Sequence, residues 1–253
     1  MAPVVGTLVV GPRPVNGDVI APVAGSIDTS FQRRSKRVRT RVRRLVRRAP
    51  LLSRTPSAAS RADPNYIVIG FHKCGTSSLH AELVQHAQIE PGHRKEVHYF
   101  ESRRFRWIPY SFYRAHFPLR SELAPGPSSA AKITGEATPG YVYSRRAAER
   151  MHRRLPRVRL LVVIRDPTQR AISHYYHEQR MGREARPIEV ALRASMSTPS
   201  SVESGGDTWL DRRQYAARGL FAKSLAYWYD LFSDELILVI SLEHLVDART
   251  HTM

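Results

Sequence analysis

The sequence contains a single cysteine and no long apolar segment. Cys74 is the one cysteine among 253 residues, which excludes an intrachain disulfide and a zinc site made of several cysteines. So little cysteine suits a reducing compartment. No apolar run approaches the roughly 18 residues that a membrane-spanning helix needs. The opening MAPVVGTLVV also lacks the basic start of a signal peptide. We therefore expect a soluble, cytoplasmic protein.

Acidic residues are missing from one strongly basic segment. Residues 31–48 hold ten lysines or arginines and no acid, which is more than half of the formal net charge of +18. Apolar residues in 33–48 recur with helical spacing, so an amphipathic helix here could lie on an anionic membrane or touch a nucleic-acid backbone. A solvated basic tail is the simpler interpretation of this segment. We expect a disordered arm over 1–63, with a linker at 50–65. The expected partner of 33–48 is an anionic membrane, contacted peripherally, rather than a specific nucleic acid.

Short apolar runs alternate with helical patterns in the rest of the chain. The alternation predicts an α/β fold, a doubly wound and mainly parallel sheet flanked by helices, within one domain at 64–253. Ligands bind such sheets at the carboxyl ends of the strands. A flexible insert is expected at 182–210. The predicted strands are YIVIG (66–70), AKITGE (131–136), LLVVI (160–164) and LILVI (236–240), and the predicted helices are 78–88, 145–154, 168–181 and 215–231.

The loop between the first strand and the first helix reads FHKCGTSS. Backbone N–H groups and the helix dipole make this position a natural anion site. Gly75 allows a close approach of the backbone, Lys73 adds a positive charge, and Thr76, Ser77 and Ser78 can donate hydrogen bonds. The alternative is an ordinary helix cap, which needs only one hydroxyl. The loop is not a nucleotide-binding Walker A loop, because threonine rather than lysine follows the glycine.

A carboxylate and an imidazole stand close together in RKEVHYFES. On an extended segment Glu96 and His98 share one face, since side chains alternate with period two. Such a pair can act as acid and base. Glutamate–histidine pairs are also common on surfaces, so the pair alone does not establish a site.

The apolar run LLVVI ends at an arginine and is followed by a helical pattern in RDPTQRAISHYYH. Arg165 at the end of the strand and Ser173 on the helix could reach one phosphate, the guanidinium as a fork and the hydroxyl as a donor. Asp166 and Pro167 fit the first positions of the helix. That capping role does not compete with phosphate binding.

These three elements, in this order, resemble the sulfotransferases that use 3′-phosphoadenosine 5′-phosphosulfate (PAPS), in particular the carbohydrate type related to the heparan sulfate enzymes. GFHKCGTSSL is similar to their 5′-phosphosulfate loop, and IRDPTQRAISHYYH is similar to their 3′-phosphate element. GEATPGYVYS and the stretch 217–245 are similar to two further family segments. The resemblance covers about residues 64–247 and implies the P-loop NTPase-like sulfotransferase fold.

The resemblance implies a role for each site residue. Lys73 would neutralise charge on the leaving group, and Glu96 would take a proton from an acceptor hydroxyl, with His98 orienting the acceptor. PAPS is the expected sulfuryl donor, no metal is expected, and the expected acceptor is a carbohydrate or glycolipid hydroxyl, less an amine. The donor would be held at its 5′-phosphate by Lys73, Cys74, Gly75, Thr76, Ser77 and Ser78, and at its 3′-phosphate by Arg165 and Ser173.

The chain departs from the pattern of these relatives at three points. Glu101 stands where they often have an aspartate, and Ala137 stands where many have a lysine. Only 12 residues follow Ser241, so we expect a domain that is incomplete at its carboxyl end. Cys74 also leaves two interpretations open, a thiol with its pKa lowered by the nearby helix N-terminus or a small packing residue.

Two other functions remain as alternatives. An ATP-dependent small-molecule kinase should show Gly-Lys-[Ser/Thr] and a magnesium-binding carboxylate at a strand end, and the sequence shows neither. An inactive truncated homologue, or a binding protein that acts through the basic arm, would bind its partner in a salt-sensitive way. Its binding would survive mutation of Lys73.

Overall fold

The computed structural model describes residues 49–103, 105–126, 130–197 and 213–250. The predicted amphipathic segment 33–48 lies outside these residues, as does the rest of the predicted arm before residue 49. Residues 198–212, in and just after the predicted insert, also lie outside them. Within the described ranges, no helix has the length and apolar composition required to cross a bilayer.

Four strands form one parallel sheet, as the alternating pattern predicts. The strands are β1 (Tyr66–Val68), β2 (Gly135–Ala137), β3 (Arg159–Ile164) and β4 (Ile237–Ser241). Their order across the sheet is β2-β1-β3-β4, and every pairing is parallel. Because the strands run in one direction, the loops at their carboxyl ends meet along one edge.

The second strand begins later than the sequence pattern indicates. The prediction places it at 131–136, but pairing with β1 covers only β2, where Gly135 lies opposite Tyr66. A side chain at Gly135 would come within 2.4 Å of the Tyr66 carbonyl oxygen and 2.6 Å of its ring. Ile133 forms a separate parallel bridge with Ile89. The strand therefore starts where the small residue lets the two backbones approach.

Nine helices occur in the described residues. The predicted helices at 145–154 and 168–181 appear almost unchanged, and the one at 78–88 begins and ends earlier. The one predicted at 215–231 begins later, at Phe221, after a short 3₁₀ turn at Ala217–Gly219. The helices are α1 (Ala49–Arg54), α2 (Thr76–Leu83), α3 (Tyr110–Arg114), α4 (Arg120–Leu123), α5 (Arg145–Arg154), α6 (Pro167–Arg180), α7 (Ile188–Ser197), α8 (Phe221–Tyr229) and α9 (Leu242–Thr250).

Residues 50–65, predicted to be a linker, pack against the domain instead. Leu51 is 1% exposed. Arg54 donates from Nε to the Ala115 carbonyl oxygen at 2.8 Å and from Nη2 to the Phe117 carbonyl oxygen at 2.9 Å. Arg61 donates from Nη1 to the same Phe117 oxygen at 2.7 Å. Two arginines thus satisfy carbonyl groups just beyond α3, so the packed part of the chain starts before the predicted boundary at residue 64.

The first part of the predicted flexible insert is a packed helix. Helix α7 lies against α6, with Ala191, Tyr175 and Tyr215 buried together. The Ser195 hydroxyl accepts a hydrogen bond from the backbone N–H of Ala216 at 2.8 Å. The prediction of an irregular segment across 182–210 was therefore wrong for Ile188–Ser197.

Candidate active site

The loop after β1 turns through two residues with left-handed backbone. Lys73 has φ +69° and Gly75, the cap of α2, has φ +87°. A side chain at Gly75 would come within 2.5 Å of Leu242 Cδ1. The left-handed conformation favours glycine here, and a larger residue would also have to displace the end of the Leu242 side chain. Ser77 and Ser78 are exposed in the first turn of α2, and Thr76 is buried. The open N-terminal turn thus presents two accessible hydroxyls, as an anion site requires.

Positive charges gather at this loop. Burial lowers the pKa of Lys73, and the charges of Arg180 and Arg165 lower it further, while Glu178 opposes them. Cations that repel one another in this way gain stability when an anion binds among them. Arg165 directly follows β3, so the loop of β1 and the end of β3 contribute charge to the same edge of the sheet.

Cys74 lies beneath the loop. Its side chain is fully buried, and its backbone N–H donates to the Phe71 carbonyl oxygen at 3.3 Å. Burial raises the pKa of the thiol to about 12, which outweighs the opposing charges of Arg170 and Arg165. The Cys74 thiol therefore packs under the loop and does not face a ligand, and the sequence-based assignment of this residue to the phosphate contacts stays a prediction.

We expect the Cys74 thiol to resist alkylation in the folded chain. With its pKa raised to about 12 and its side chain covered, the reactive thiolate is scarce at about pH 8. A thiol reagent should react at least about a hundredfold more slowly than in denaturant. The chain has one cysteine, so the rate at which a chromogenic thiol reagent develops colour measures the reactivity of Cys74 directly. Equal rates in buffer and in denaturant would show an exposed thiol.

A histidine between two carboxylates forms the second part of the site. His98 Nδ1 lies 2.5 Å from Glu101 Oε1, and His98 Nε2 lies 3.3 Å from Glu96 Oε2. Burial on its own lowers the pKa of His98, but the hydrogen bonds with Glu101 and Glu96 raise it to about 9. The hydrogen bond from His98 likewise lowers the pKa of Glu96 to about 2. At neutral pH the imidazolium therefore lies between the ionised Glu96 carboxylate and the carboxyl group of Glu101, which is buried.

The charge on His98 should make stability depend on pH. A histidine whose pKa is raised from 6.5 to about 9 contributes stability that is complete below the ordinary value and is lost as pH rises through the folded value. We therefore expect the chain to be more stable than its His98→Gln variant at about pH 6, and this advantage to shrink by about pH 10. Urea unfolding of both chains at the two pH values measures it. An advantage that is the same at both would contradict the charged histidine.

One lysine joins the loop of β1 to the acid–base pair. Lys95 Nζ donates to Ser77 Oγ at 2.5 Å and lies 3.4 Å from Glu96 Oε1. The Glu96 carboxylate is therefore within about 6 Å of the first turn of α2. The structure brings the two sequence motifs to one place, although about twenty residues separate them.

A buried glutamate that the sequence analysis did not single out holds this segment in place. Glu136 Oε2 accepts from the backbone N–H of Val97 at 3.2 Å and from Thr138 Oγ1 at 2.6 Å. Its Oε1 accepts from the hydroxyl groups of Tyr113 at 2.8 Å and Tyr141 at 3.2 Å. Burial raises the pKa of Glu136 to about 7, and these four donors limit the rise. Val97 stands between Glu96 and His98, so Glu136 fixes the backbone of the acid–base pair.

Two further bonds attach the same segment to the edge of the sheet. The Ala137 N–H donates to the Lys95 carbonyl oxygen at 2.9 Å, and the Tyr99 N–H donates to the Tyr141 hydroxyl at 2.9 Å. His98 between them adopts φ +56°, a conformation that non-glycine residues rarely take. Hydrogen bonds on both sides of His98 hold it there.

Helix α6 begins directly after Arg165. Asp166 Oδ1 accepts from the backbone N–H of Gln169 at 2.7 Å, and Pro167 occupies the first turn. The predicted cap is therefore confirmed, and the carboxylate at the end of β3 is engaged in it. Ser173 lies in the second turn of α6 and is half-buried, as is Arg165. Both candidate phosphate ligands thus lie at or beyond the carboxyl end of β3.

A cavity of about 170 Å³ opens beside Lys73. Two of its histidines are neutral, because burial and the charge of Arg218 lower the pKa of His72 to about 3 and that of His174 to about 2. The spacing of His174, His177 and Glu178 along α6 could have indicated that they share one face of the helix. The other residues that line the cavity come from distant parts of the chain. The lining residues are His72, Lys73, His174, His177, Glu178, Arg183 and Arg218.

Glu178 is the acidic member of this cavity and is bound by an arginine. Arg183 donates from Nε to Glu178 Oε2 at 2.5 Å and from Nη2 to Oε1 at 2.8 Å. This forked pair leaves the cavity with a basic balance. Among the residues that the structure describes, no group of three histidine, cysteine or acidic side chains has an arrangement that could hold a metal ion.

The comparisons with curated proteins find sulfotransferases. "Membrane-associated sulfotransferase kil1" of Dictyostelium discoideum is 36% identical over 113 residues, which is 45% of this chain and 22% of that protein. Human heparan sulfate glucosamine 3-O-sulfotransferase 6 is 29% identical over 198 residues, which is 78% of this chain and 52% of that protein. The chain thus spans between about a fifth and about half of the length of these relatives.

A solved structure and a family model also match this chain to sulfotransferases. The structure of a sulfotransferase from Alicyclobacillus acidocaldarius matches with a TM-score of 0.59 and 26% identity, covering 76% of this chain and 78% of that chain. This match confirms the predicted fold. The pattern of the Sulfotransferase domain matches residues 63–251. The predicted resemblance is therefore confirmed, and the chain belongs to the sulfotransferase family.

Proposed function

We propose that this chain transfers a sulfuryl group from PAPS to a hydroxyl group of a carbohydrate or glycolipid. The observation that carries the proposal is the position of Lys95, which hydrogen-bonds Ser77 and lies 3.4 Å from Glu96. A cationic anion-binding loop and an ionised carboxylate lie side by side there, as transfer of an anionic group to a hydroxyl requires.

The residues at the strand ends fit the two phosphate groups of PAPS. Ser77 and Ser78 are accessible at the first turn of α2, and the pKa of Lys73 is lowered by burial and by neighbouring cations. Arg165 and Ser173 would hold the 3′-phosphate, which ATP lacks. When bound, PAPS supplies an activated sulfuryl group whose leaving group is a stable bisphosphate. Thr76 is buried, so its contribution would come from the backbone.

Each charged residue has a definite task in this proposal. Glu96 is ionised at neutral pH because its pKa is lowered to about 2, so it can accept a proton from an acceptor hydroxyl. His98, held by Glu101, keeps that carboxylate in place. Lys73 places positive charge where negative charge develops on the leaving oxygen. Glu136 holds the backbone between Glu96 and His98.

The cavity beside Lys73 supports a carbohydrate acceptor. Neutral histidines can exchange hydrogen bonds with sugar hydroxyls, and Arg218 can bind an anionic substituent. The names of several relatives state heparan sulfate as their substrate, which favours the same class here. The predicted cytoplasmic location stays a prediction, and one relative is named as membrane-associated.

The kinase alternative is less compatible with the strand end. Asp166 is the carboxylate that follows β3, and its Oδ1 accepts the Gln169 N–H as the cap of α6. One of its two oxygens is therefore already engaged, which leaves Oδ2 for a magnesium ion.

Transfer of radioactive sulfate from labelled PAPS tests the proposal. The acceptors are a fully N-acetylated heparan backbone, which offers hydroxyls only, and its de-N-acetylated form, which adds free amines. We expect label in both at similar rates. Label only in the second would mean amine transfer. No label in either, with phosphate transferred from labelled ATP in a parallel reaction, would favour the kinase.

A further inference from the structure

Helix α5 presents an unusually basic surface. Its buried residues are Ala147, Ala148 and Met151, and arginines cover its opposite side. Glu149 is the one acid in the helix, and Arg145 Nε already lies 3.3 Å from its Oε1. Together with a neighbouring turn this helix forms what we call the arginine face, made of the exposed residues Arg103, Arg106, Trp107, Arg146, Arg153 and Arg157.

Trp107 is the apolar member of the arginine face. Its side chain is 84% exposed, so nearly the whole ring meets water. The turn that carries it, Phe105–Trp107, is fixed to α5. Arg150 stacks at 4.4 Å from the Phe105 ring centroid and donates from Nη1 to the Phe100 carbonyl oxygen at 2.7 Å.

A second contact fixes the far side of the same turn. Arg154 lies 5.3 Å from the ring centroid of Tyr110. Because Arg150 and Arg154 hold the residues before and after Trp107, this ring lies beside the arginines of α5. Packing of the core does not explain why an exposed tryptophan lies among arginines.

The Arg157 end of the arginine face lies away from the candidate active site, whereas Arg103 follows Glu101 by two residues and Arg146 follows Tyr143, whose hydroxyl accepts the His72 N–H. Helix α5 leads into the start of β3 at Arg159, whereas the site lies beyond the end of that strand at Ile164. Six residues of strand span about 17–20 Å. The exposed arginines near Arg157 therefore have no role in holding a ligand at Arg165.

We infer that the arginine face binds the headgroups of anionic phospholipids, with Trp107 entering the interfacial region of the bilayer. Arginine charges attract an anionic leaflet, and tryptophan prefers the headgroup level, where its ring is covered and its N–H can still hydrogen-bond. A glycan stacked on Trp107 would cover one ring face only. The headgroup region of a bilayer covers the whole projecting ring. A membrane surface is also broad enough to contact all the arginines, which are spread over a helix face and a turn. This inference does not depend on the sulfotransferase activity.

Quenching of tryptophan fluorescence by brominated phospholipid tests the position of Trp107 in the full chain. The vesicles contain about 30% phosphatidylserine, with brominated or ordinary phosphatidylcholine as the remainder. The chain and its Trp107→Phe variant are compared at equal bound fractions. Both chains also carry Trp209→Phe, so that Trp228 is the other tryptophan that remains. We expect strong quenching in the chain that keeps Trp107 and little in the one that lacks it, because Trp228 is fully buried. Equal quenching in both chains would overturn the inference.

A pair of charge-reversed variants tests the arginines. Arg146→Glu/Arg153→Glu removes two exposed charges of the face, and Arg120→Glu/Arg193→Glu makes the same change at exposed positions on α4 and α7. The basic residues of 31–48 act equally in both variants. We expect vesicle affinity to fall at least about tenfold more in the first than in the second. Equal losses would assign binding to net charge alone and overturn the inference.

Heparin binding by the same variants separates a lipid from a polysaccharide partner. If Arg146→Glu/Arg153→Glu weakens heparin binding while vesicle binding and quenching of Trp107 stay unchanged, the face binds polyanions and the lipid inference is overturned. Thermal melts of both variants are expected to match that of the unchanged chain, since no side-chain partner of Arg146 or Arg153 is lost from the core.

Discussion

Glu96→Gln should lower the turnover number for sulfuryl transfer by about 10²–10⁴-fold, the range for loss of a general base. The amide keeps the size of the side chain and a hydrogen-bonding oxygen near His98, but it cannot accept a proton from the acceptor. Binding of adenosine 3′,5′-bisphosphate should change little, because the phosphate ligands lie on the loop of β1 and at the end of β3. Steady-state rates and calorimetry on one preparation measure both quantities.

Glu90→Gln is the matched control for this substitution. Glu90 is a surface carboxylate whose Oε2 lies 3.0 Å from Lys132 Nζ, and exposed pairs of this kind contribute little. Its turnover should stay within about twofold of the unchanged chain. If Glu96→Gln also remained within about fivefold, Glu96 would not be the base.

Glu136→Ala should both destabilise the domain and disable the site. The carboxylate accepts four hydrogen bonds while it is fully buried. Its removal takes the acceptor from three hydroxyl groups, at a cost of about 1–3 kcal/mol for each buried group left unpaired. The Val97 N–H keeps Thr138 Oγ1 as an acceptor at 3.1 Å. The expected loss of stability is therefore about 3–6 kcal/mol, measured by urea unfolding. Turnover should fall as well, because the backbone between Glu96 and His98 loses one of the hydrogen bonds that hold it.

Glu136→Gln separates a positioning role from a purely structural one. Glutamine keeps one acceptor oxygen, so most of the stability should return. Its NH₂ group, however, cannot accept the hydrogen bonds that one carboxylate oxygen of Glu136 accepts. It should therefore repel those donors and displace the segment around Val97. We expect a lower turnover number with a nearly unchanged affinity for adenosine 3′,5′-bisphosphate. Full recovery of both stability and turnover would mean that Glu136 supports only the core.

Elements with strong local signals were predicted well. The predicted helix at 145–154 coincides with α5, where Ser144 accepts the Ala147 N–H as a cap. Helix α6 has Asp166 and Pro167 at its start. Strands β1, β3 and β4 follow from dense apolar runs. In each case the determinants lie within a few residues of the element, so the sequence pattern is sufficient.

Features that depend on distant contacts were missed. The packing of 50–65 rests on Arg54 and Arg61, which bind carbonyl groups more than fifty residues away. Glu136 lies 39 residues from the Val97 N–H that it accepts. The motif GEATPGY was noticed, but a glutamate on a short strand gives no local sign that it will receive donors from three other elements.

Cys74 shows two local effects in competition. Its position just before α2 suggests a lowered thiol pKa through the helix dipole. Full burial acts in the other direction and prevails, raising the pKa to about 12. Burial depends on the three-dimensional packing of the loop, which the residue order does not reveal.

Calorimetric binding of adenosine 3′,5′-bisphosphate, with ATP as competitor and Arg165→Ala as the variant, tests the central claim most directly. The proposed site predicts tight binding of the bisphosphate that excess ATP does not displace. It also predicts a loss of at least about tenfold in affinity in the variant, since a charged hydrogen bond contributes about 1.5–3 kcal/mol. No binding by a demonstrably folded chain, or a preference for ATP, would contradict a PAPS-dependent sulfotransferase.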